Sequence, residues 1–239
     1  MATKTGLDIR RTLKTNPHLQ GLPEHELERL ATTLSVRSLR RKELLFSEGE
    51  SPGGIYLLES GWLKAVRSSP GGSELVVGVL GPTDGLASNP GPSMPGPHDC
   101  TVRALTAARV LTARGLVAAD LLRSCPSLLD AWRDLYYVTR RRNVELTVGL
   151  ALHDIDRRLA RLLLRLARMV PGEGGADSKP EMEVPKVLSQ REMAAAVGTA
   201  REVVTRHVAT LVEQGILARR GRRILLAQPE KLRVMAEGD

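Results

Sequence analysis

The chain is poor in aromatic residues and in cysteine. Only 3% of its 239 residues are Phe, Trp or Tyr, so its cores have to be built mainly from Leu, Val and Ala. Its two cysteines, Cys100 and Cys125, are too few for an all-cysteine iron–sulfur cluster within one chain. A structural disulfide is unusual in a cytosolic protein, so we expect two inert thiols, with a redox role as the alternative.

Several targeting and catalytic signals are also missing. The chain has no run of 18 apolar residues, so neither a transmembrane helix nor a membrane partner is expected. Residues 1–14 lack the apolar core of a signal peptide, and we therefore expect a cytoplasmic protein. The chain has no Gly-rich phosphate loop, nucleophile elbow, H-x-x-x-H or C-x-x-C motif. We expect no enzyme, no catalytic residue and no metal site.

Positive charge and one strong local pattern are present. The net charge of +8 favours a polyanionic partner. Residues 189–217 (SQREMAAAVGTAREVVTRHVATLVEQGIL) read as two short helices joined by a turn at Gly198. This pattern predicts a helix-turn-helix and sequence-directed DNA binding. Two residue pairs have capping-box spacing at the starts of these helices: Ser189 with Glu192, and Thr199 with Glu202.

The second predicted helix has two chemically different sides. Val204, Val208 and Leu211 lie on one side and can be buried against the first helix. The other side carries guanidinium, carboxylate and hydroxyl groups near the N-terminal end, which is the end that enters the major groove. Arginine can bind guanine O6 and N7, and glutamate can accept from cytosine N4. The alternative is an ordinary surface, on which the glutamate is only a cap. The predicted base contacts are Arg201, Glu202, Thr205 and Arg206.

A hairpin is expected directly after the second helix. Gly215 is expected to end the helix, and residues 216–218 and 223–226 then read as two strands. The hairpin is similar to the wing of a winged helix, and its four arginines suit contacts with DNA phosphates. The alternative is a solvated hairpin whose charges protect an edge strand. The predicted backbone contacts are Ser189, Gln190, Thr199, Arg219, Arg220, Arg222 and Arg223.

The N-terminal half changes from helix to strand. Residues 7–34 read as short helices, with Pro23 in the first turn of one of them. Between residues 36 and 110 short apolar segments alternate with turns, a pattern typical of a small barrel or roll. Residues 88–97 hold four prolines and are expected to form a loop. The predicted strands are residues 43–46, 54–58, 61–66, 74–80 and 101–111.

Helices resume near residue 114. Residues 127–153 carry a stripe whose spacings alternate between three and four, which is typical of a coiled-coil seam. A seam needs a partner, and a parallel homodimer is the simplest one. Packing of this helix on its own domain is the alternative. Asn143 in the stripe can fix the register or reach a ligand. The predicted seam residues are Leu129, Trp132, Tyr136, Thr139, Asn143, Leu146 and Leu150.

A further helix is expected after a break at residue 153, with Asp154 as its cap. Five arginines lie on this helix, and we expect most of them to be solvated, with the DNA backbone as the alternative partner: Arg157, Arg158, Arg161, Arg165 and Arg168. Residues 171–180 predict a flexible loop. The predicted fold class is α+β, with a β-roll effector-type domain at residues 1–125, a dimerisation helix at 126–153 and a winged helix-turn-helix DNA-binding domain at 154–239.

The succession of roll, seam helix and winged helix resembles that of the CRP/FNR superfamily of bacterial transcription regulators. The resemblance covers nearly the whole chain. Residues 44–66 (LLFSEGESPGGIYLLESGWLKAV) look like the family's β-roll signature, and residues 188–217 are the more specific half. Arg201, Glu202 and Arg206 match the R-E-x-x-x-R pattern with which cyclic-AMP-responsive members read a TGTGA-type half-site. The resemblance implies a cyclic-nucleotide-binding-like roll, a homodimer, double-stranded DNA with a palindromic operator, and contact with RNA polymerase.

The effector site departs from the family pattern. Ala87 and Ser88 stand where cyclic-AMP-binding members have Gly and Glu, and His98 and Asp99 where they have Arg and Ser. The family's Glu holds the ribose hydroxyl and its Arg neutralises the cyclic phosphate. Loss of the guanidinium and gain of a carboxylate oppose phosphate binding. We therefore predict that cyclic AMP does not bind with family-like affinity, and the cofactor is left unknown.

The expected function is that of a homodimeric, sequence-specific transcription regulator. Two possibilities remain open for the regulation of the roll. It works without an effector, or it is gated by a different small molecule, a redox signal or haem. Haem or a metal would have to use His98, Cys100 or His153. The sequence does not separate an activator from a repressor or from an architectural DNA binder.

Overall fold

The structure is a computed structural model that describes residues 2–50, 53–82, 84–87, 96–169, 182–221 and 223–238. The chain divides into two compact units. The first consists of Met1–Arg67 and Gly78–Asn143, and the second of Ser68–Val77 and Val144–Asp239. The division falls inside the long helix, which the sequence analysis treats as a segment of its own.

The first unit begins and ends with helices. Helix α1 spans Ala2–Thr15, a short 3₁₀ helix spans Pro17–Leu19, and α2 spans Glu24–Thr33. These agree with the short helices predicted for residues 7–34. After the strands come α3 (Gly115–Ser124) and α4 (Pro126–Leu152). Helix α4 is the predicted seam helix, and its bounds agree with the prediction to within one residue.

Two antiparallel sheets form the predicted β-roll. Their strands are β1 (Ser35–Leu39), β2 (Leu44–Phe46), β3 (Gly54–Ser60), β4 (Leu63–Ser68), β5 (Glu74–Leu80), β6 (Gly85–Ala87), β7 (Thr101–Ala104) and β8 (Ala108–Arg114). The order is β1-β8-β3-β6 in one sheet and β2-β7-β4-β5 in the other. The sequence does not predict β1 or β6, which are short or lack flanking turn signals.

The prediction of one strand over residues 101–111 is wrong. The structure has a bend at residues 105–107, with β7 before it in one sheet and β8 after it in the other. The backbone N–H of Leu105 donates to the carbonyl of Trp62 at 2.8 Å, which holds the bend. Because the bend (LTA) contains no Gly or Pro, the sequence carries no turn signal there.

The core of the first unit joins its helices to the roll. Ile55, Leu57 and Leu111 of the sheet are at most 3% exposed and share a cluster with side chains of α1, α2 and α3. Trp132 of α4 belongs to the same cluster and is 8% exposed. Burial of a large apolar side chain contributes about 1.5–3 kcal/mol. The first part of α4 is therefore anchored on its own unit.

Besides Ser68–Val77, the second unit contains a small three-stranded sheet packed with helices. Its elements are α5 (Ile155–Arg168), β9 (Glu183–Val184), α6 (Gln190–Val197), α7 (Arg201–Glu213), β10 (Leu217–Arg220), β11 (Arg223–Leu226) and α8 (Pro229–Glu237). Asp154 caps α5 as predicted, because its Oδ1 accepts from the N–H of Arg157 at 2.8 Å. The strand order is β10-β11-β9. The sequence does not predict β9 or α8, and most of the two predicted loops, residues 88–95 and 171–180, lies outside the described residues.

Candidate nucleic-acid interface

Helix α6 starts with the predicted capping box. Ser189 Oγ accepts from the N–H of Glu192 at 3.2 Å, and Glu192 Oε2 accepts from the N–H of Ser189 at 2.9 Å. Two of the backbone donors that a helix start leaves unpaired are thereby satisfied. Met193, Ala194 and Val197 form the buried side of α6.

The turn between the two helices is closed by glycine, as predicted. Gly198 has φ 68° and ψ 49°, the left-handed conformation that glycine adopts without steric cost. The N–H groups of Gly198 and Thr199 both donate to the carbonyl of Ala194. The backbone N–H of Thr199, a predicted backbone contact, is therefore used to close α6.

The predicted second capping box is wrong. The N-cap of α7 is Ala200, which has no side-chain capping bond, so the helix begins one residue later than a box from Thr199 requires. The physical reason is that the N–H of Thr199 is used to end the preceding helix. Glu202 consequently occupies the second position of α7, where the positive end of the helix dipole favours a carboxylate without making it a cap.

Helix α7 separates its apolar and polar side chains as predicted. Val204, Val208 and Leu211 are at most 1% exposed and form the buried side. Arg201, Glu202 and Arg206 are exposed within the first two turns. Gly215, with φ 68°, follows the end of the helix as predicted. The structure therefore places three of the four predicted base-contact residues together on the accessible side.

Thr205, the fourth predicted base contact, is half-buried and already bonded. Its hydroxyl lies 3.1 Å from Gln190 Oε1 on α6 and 2.9 Å from the carbonyl of Arg201. Thr205, a predicted base contact, and Gln190, a predicted backbone contact, are therefore hydrogen-bonded to each other across the two helices. This contact fixes the position of α7 relative to α6.

The wing has the two predicted strands, but the first ends at Arg220, two residues later than predicted. Arg219 and Arg220 are exposed on β10, whose register pairs Arg220 with Arg223 of β11. Arg223 Nη1 donates to Glu183 Oε2 of β9 at 3.1 Å, so a carboxylate partly offsets its charge. Arg222 lies outside the described residues. Glu183 is absent from the predicted contacts because a two-residue strand carries no period of its own in the sequence.

A cleft of about 370 Å³ joins the wing to the start of α6. Its apolar floor includes Leu188 and Met193. Lys186 also lines it, and this exposed cation is absent from the predicted set. Four of the predicted backbone contacts surround the cleft: Ser189, Gln190, Arg219 and Arg223.

The arginines of α5 divide into two groups. Arg157 Nε and Arg161 Nε donate to the carbonyl of Ala236 at 3.2 and 2.7 Å, and Arg157 also donates to the carbonyl of Glu237. These carbonyls end α8, where the negative end of the helix dipole favours cations. The expectation of a mainly solvated set is wrong for these two, whereas Arg168 is exposed.

Two family models match this chain. The model of the Crp-like helix-turn-helix domain matches residues 157–235, and that of the cyclic nucleotide-binding domain matches residues 36–124. Together they cover well over half of the chain. The chain belongs to the CRP/FNR family of transcription regulators.

Relatives and solved structures agree with this membership. A CRP-like cAMP-activated global transcriptional regulator of Mycobacterium tuberculosis is 28% identical over 218 residues, which cover 89% of this chain and 93% of the relative. The cyclic AMP receptor protein of Thermus thermophilus is 25% identical, over 86% of this chain and 89% of the relative. The structure of FixK2 from Bradyrhizobium japonicum has the same fold, with a TM-score of 0.73 at 20% identity, covering 86% of this chain and 98% of FixK2.

A buried imidazole lies in the roll of this CRP/FNR regulator, where the resemblance implies an arginine. His98 is 1% exposed and stacks on Phe46, with ring centroids 3.6 Å apart and an angle of 7° between the rings. Its Nε2 lies 3.4 Å from Tyr56 Oη. Its Nδ1 is buried without a hydrogen-bond partner among the described residues.

Burial lowers the pKa of His98 below its ordinary value of 6.5, although Glu50 acts in the opposite direction. A neutral imidazole offers no positive charge to a phosphate. The nearby arginines are already paired, since Arg114 lies 3.0 Å from Glu50 and Arg67 lies 3.0 Å from Glu48. The charges around His98 therefore differ from those of a site that binds a phosphate.

The remaining residues of the predicted degenerate pocket are only partly described. The carbonyl of Asp99 accepts from Arg67 Nη1 at 2.5 Å. Ala87 is the last residue of β6, and Ser88 lies outside the described residues.

The two thiols are poorly suited to redox chemistry. Burial, assisted by Asp99, raises the pKa of Cys100 to about 12. Cys125 is 1% exposed. Since the thiolate is the reactive form, both positions fit the expectation of inert thiols better than a redox role.

The predicted seam residues on α4 do not share one environment. Trp132 packs on its own unit, which was the alternative for this helix, whereas Tyr136 is 49% exposed and Asn143 is exposed. The other four are half-buried: Leu129, Thr139, Leu146 and Leu150. A second set of apolar side chains is exposed at spacings of seven, four and four, which place it on one side of the helix: Tyr137, Val144, Val148 and Leu152. We call these four residues the α4 stripe.

No described helix is long and apolar enough to cross a membrane. Among the same residues, no three or more His, Cys, Asp or Glu side chains are grouped so that they could hold a metal ion.

Proposed function

We propose that this CRP/FNR regulator reads a palindromic operator with Arg201, Glu202 and Arg206 of α7. The main support is that these three side chains are exposed on a helix whose opposite side is almost fully buried. A rigidly held helix is needed because a bidentate base contact tolerates little movement, and each such contact discriminates by about 1–3 kcal/mol. Identity with the R-E-x-x-x-R pattern supports a TGTGA-type half-site.

The cleft between the wing and α6 is proposed to follow the DNA backbone. Lys186, Arg219 and the capped start of α6 present cations and backbone N–H groups to one channel. Such groups bind phosphates without reading sequence, and each neutralised phosphate steepens the dependence of affinity on salt. Affinity should therefore fall strongly as the salt concentration rises.

The proposed active species is a homodimer formed through α4. The α4 stripe presents apolar side chains that a second copy of the helix would cover. A two-fold axis along this contact would place the two copies of α7 on half-sites one helical turn apart. Of the predicted seam, the exposed Tyr136 and Asn143 remain candidates for the same contact, whereas Trp132 is used by its own unit.

The proposed operator is tested by selecting bound sequences from random DNA with the purified chain, once without ligand and once with cyclic AMP. We expect a palindromic consensus in both experiments. A consensus obtained only with cyclic AMP would reverse the proposal on the effector. Absence of any consensus under both conditions would contradict sequence-directed binding.

We further propose that cyclic AMP is not the effector of the roll. The support is the neutral, ring-stacked His98 in place of an arginine and the carboxylates that already hold Arg67 and Arg114. Calorimetric titration with cyclic AMP should show no binding in the micromolar range. The variant His98→Arg/Asp99→Ser restores the family residues, and any gain of affinity there would support the electrostatic reason.

One observation favours a different ligand in the roll. A buried polar atom without a hydrogen bond costs about 1–3 kcal/mol, and His98 Nδ1 is such an atom. A small molecule that bonded to this nitrogen would recover that cost. Thermal-shift screening of the chain and of His98→Phe, which keeps the ring stack, would separate ligands that use the nitrogen from those that do not.

Contact with RNA polymerase is proposed from family membership alone. Transcription in vitro from a promoter that carries the selected site would show activation, repression or no effect. The last result would indicate an architectural DNA binder.

A further inference from the structure

The turn of the helix-turn-helix has no room for a side chain at Gly198. A Cβ atom on this residue would lie 2.3 Å from Cδ2 of Leu150 and 3.3 Å from Nη1 of Arg158. Leu150 belongs to the last turn of α4, the helix that carries the proposed dimer contact. A methyl group of the long helix therefore rests directly on the backbone of the turn.

This contact is separate from the backbone conformation of the turn. Gly215 has the same φ of 68°, yet a Cβ there would meet only Gln228 Nε2, at the ordinary distance of 3.6 Å. Gly221, with φ 60°, has nothing within 4 Å of such an atom. A left-handed glycine in this unit does not by itself require a crowded neighbour. Gly198 thus meets two independent requirements, conformation and close approach.

The contact lies next to the reading residues. Gly198 is two residues before Ala200, the N-cap of α7, and three before Arg201. Leu150 touches the turn at Gly198, and only a short stretch of backbone with few rotatable bonds lies between Gly198 and the proposed base contacts. A shift of the last turn of α4 would be passed to the start of α7 with little loss, because close-packed atoms do not absorb such a shift.

A second contact holds α7 further along its length. His207 Nδ1 lies 2.5 Å from Asp156 Oδ1, in the first turn of α5. Helix α7 is thus held near its start through Gly198 and near its middle through His207. Two separated contacts fix the direction of a helix, whereas one fixes only a point.

We propose that Leu150 is a positioning residue for the recognition helix, acting through the notch that Gly198 leaves in the turn. The proposal deepens the proposed function, because it rests on α7 reading DNA and names how α4 sets the orientation of that helix. Leu150 touches no DNA in this scheme. Its role is to place Arg201 and Glu202 at the angle that base contact requires.

The test compares Gly198→Ala with the matched control Gly215→Ala. Both variants place a Cβ on a left-handed backbone, but only the first meets Leu150. The measurement is fluorescence anisotropy with the selected operator and with unrelated DNA, beside a thermal melt. We expect Gly198→Ala to lower the ratio of specific to unspecific affinity about tenfold more than Gly215→Ala does.

Double variants separate the steric contact from backbone strain. Leu150→Ala in the Gly198→Ala chain should restore part of the affinity ratio, because it removes the methyl group that the new Cβ meets. Leu146→Ala, one turn earlier on α4, should not restore it. Equal losses in the two glycine variants, or equal recovery with Leu146→Ala, would overturn the proposal.

Sedimentation distinguishes a loss of DNA affinity caused by a lost dimer from one caused by a misplaced α7. It is measured for each variant, since Leu150 also belongs to the predicted seam.

If the unaltered chain selects no DNA sequence, the proposed function fails. The contact between Leu150 and Gly198 is then tested by melting temperature instead. Non-additive melting shifts for Gly198→Ala with Leu150→Ala, and additive ones for Gly215→Ala with Leu150→Ala, would still support the contact; additive shifts in both pairs would refute it. Should Gly198→Ala not fold, Leu150→Val provides the test: a lower affinity ratio with an unchanged melting temperature supports positioning, and an unchanged ratio contradicts it.

Discussion

Glu202 illustrates how a displacement of one residue along a helix changes what a side chain can do. From the spacing to Thr199 it is a cap, but α7 begins after Ala200, so Glu202 occupies a position from which it makes no capping bond. Its carboxylate is exposed beside Arg201 and Arg206. The alternative role as a cap, which would have taken Glu202 out of the reading set, is thereby removed.

Arg206 provides the most direct test of base reading. Replacing Arg206 by Ala should cost about 1–3 kcal/mol of affinity on the selected operator and relax the preference at one base pair, because a bidentate contact to guanine is lost. Affinity for unrelated DNA should change little. The measurement is fluorescence anisotropy at fixed salt.

The control for the loss of charge is Arg123→Ala. Arg123 is exposed on α3 and lies 3.3 Å from Asp120, so this variant removes one positive charge outside the proposed interface. It should leave both affinities nearly unchanged. If Arg206→Ala weakened binding to both DNAs equally, Arg206 would be a phosphate contact instead.

The burial of His98 predicts that the folded chain loses stability in acid. Its pKa is lowered by burial, so below the ordinary value of 6.5 the unfolded chain takes up a proton that the folded chain resists. The contribution of His98 to the free energy of unfolding is therefore complete above pH 6.5 and is lost as the pH falls towards the lowered value. His98→Gln should lose less stability than the unaltered chain between about pH 7 and about pH 5, measured by urea unfolding.

The pKa of His18 is also lowered by burial, so part of the acid destabilisation should persist in His98→Gln. His18→Gln supplies the comparison at an independent position. An unchanged pH dependence in His98→Gln would show that the imidazole is solvated in the folded chain.

At the scale of elements, the C-terminal helix depends on arginines of α5. Arg161 donates to the carbonyl of Ala236 at 2.7 Å, and Arg157 donates to the same oxygen at 3.2 Å. The carbonyls at a helix end have no partners within the helix, so these bonds stabilise α8 against α5. Since α5 also packs against α6, these bonds connect α8 to the first helix of the helix-turn-helix through α5.

We expect Arg161→Ala to lower the free energy of unfolding of the second unit by about 1–3 kcal/mol, because the shorter of the two charge-assisted hydrogen bonds to the carbonyl of Ala236 is lost and only the bond from Arg157 remains. Chemical unfolding of the full chain measures this. Arg168→Ala, at the exposed end of the same helix, should change stability by no more than about 0.5 kcal/mol. Equal effects of the two variants would indicate general electrostatics instead of the bond to Ala236.

At the scale of the whole molecule, the proposed reading of a palindrome depends on the association of two copies. A single α7 can contact only one half-site, so a palindrome gains affinity only through a dimer. The residues of the α4 stripe are exposed apolar side chains on one side of the long helix. Covering them with a second copy would remove an apolar surface from water.

Val148→Asp should therefore shift the chain towards monomer in sedimentation and weaken binding to the palindrome more than binding to an isolated half-site. The physical reason is that a carboxylate would have to be buried in an apolar contact. Val234→Asp adds the same charge at an exposed valine on α8 and should leave the mass unchanged. A Val148→Asp chain that keeps the mass of the unaltered chain would place the dimer contact elsewhere.

Local chemistry explains which elements the sequence predicts. Capping residues, glycine and the 3.6-residue period act within one helix or one turn, so α6, the turn at Gly198, α7 and the wing hairpin follow from residues close in the chain. The grouping of Arg201, Glu202 and Arg206, the proposed base contacts, on one side of α7 follows for the same reason. Family membership follows because those local patterns occur in a particular order.

Contacts between distant residues were decided only by tertiary structure. The split of residues 101–111 between two sheets, the pairing of Arg223 with Glu183, the stacking of His98 on Phe46 and the meeting of Leu150 with Gly198 all join segments that no spacing relates. The start of α7 is a local exception, because the N–H of Thr199 donates to the carbonyl of Ala194 only five residues before it. Sequence by itself determined which side chains share the polar side of α7, since helix faces are set by local periodicity. How the reading helix is held, and what surrounds the ring in the roll, depends on packing, which is a property of the folded chain alone.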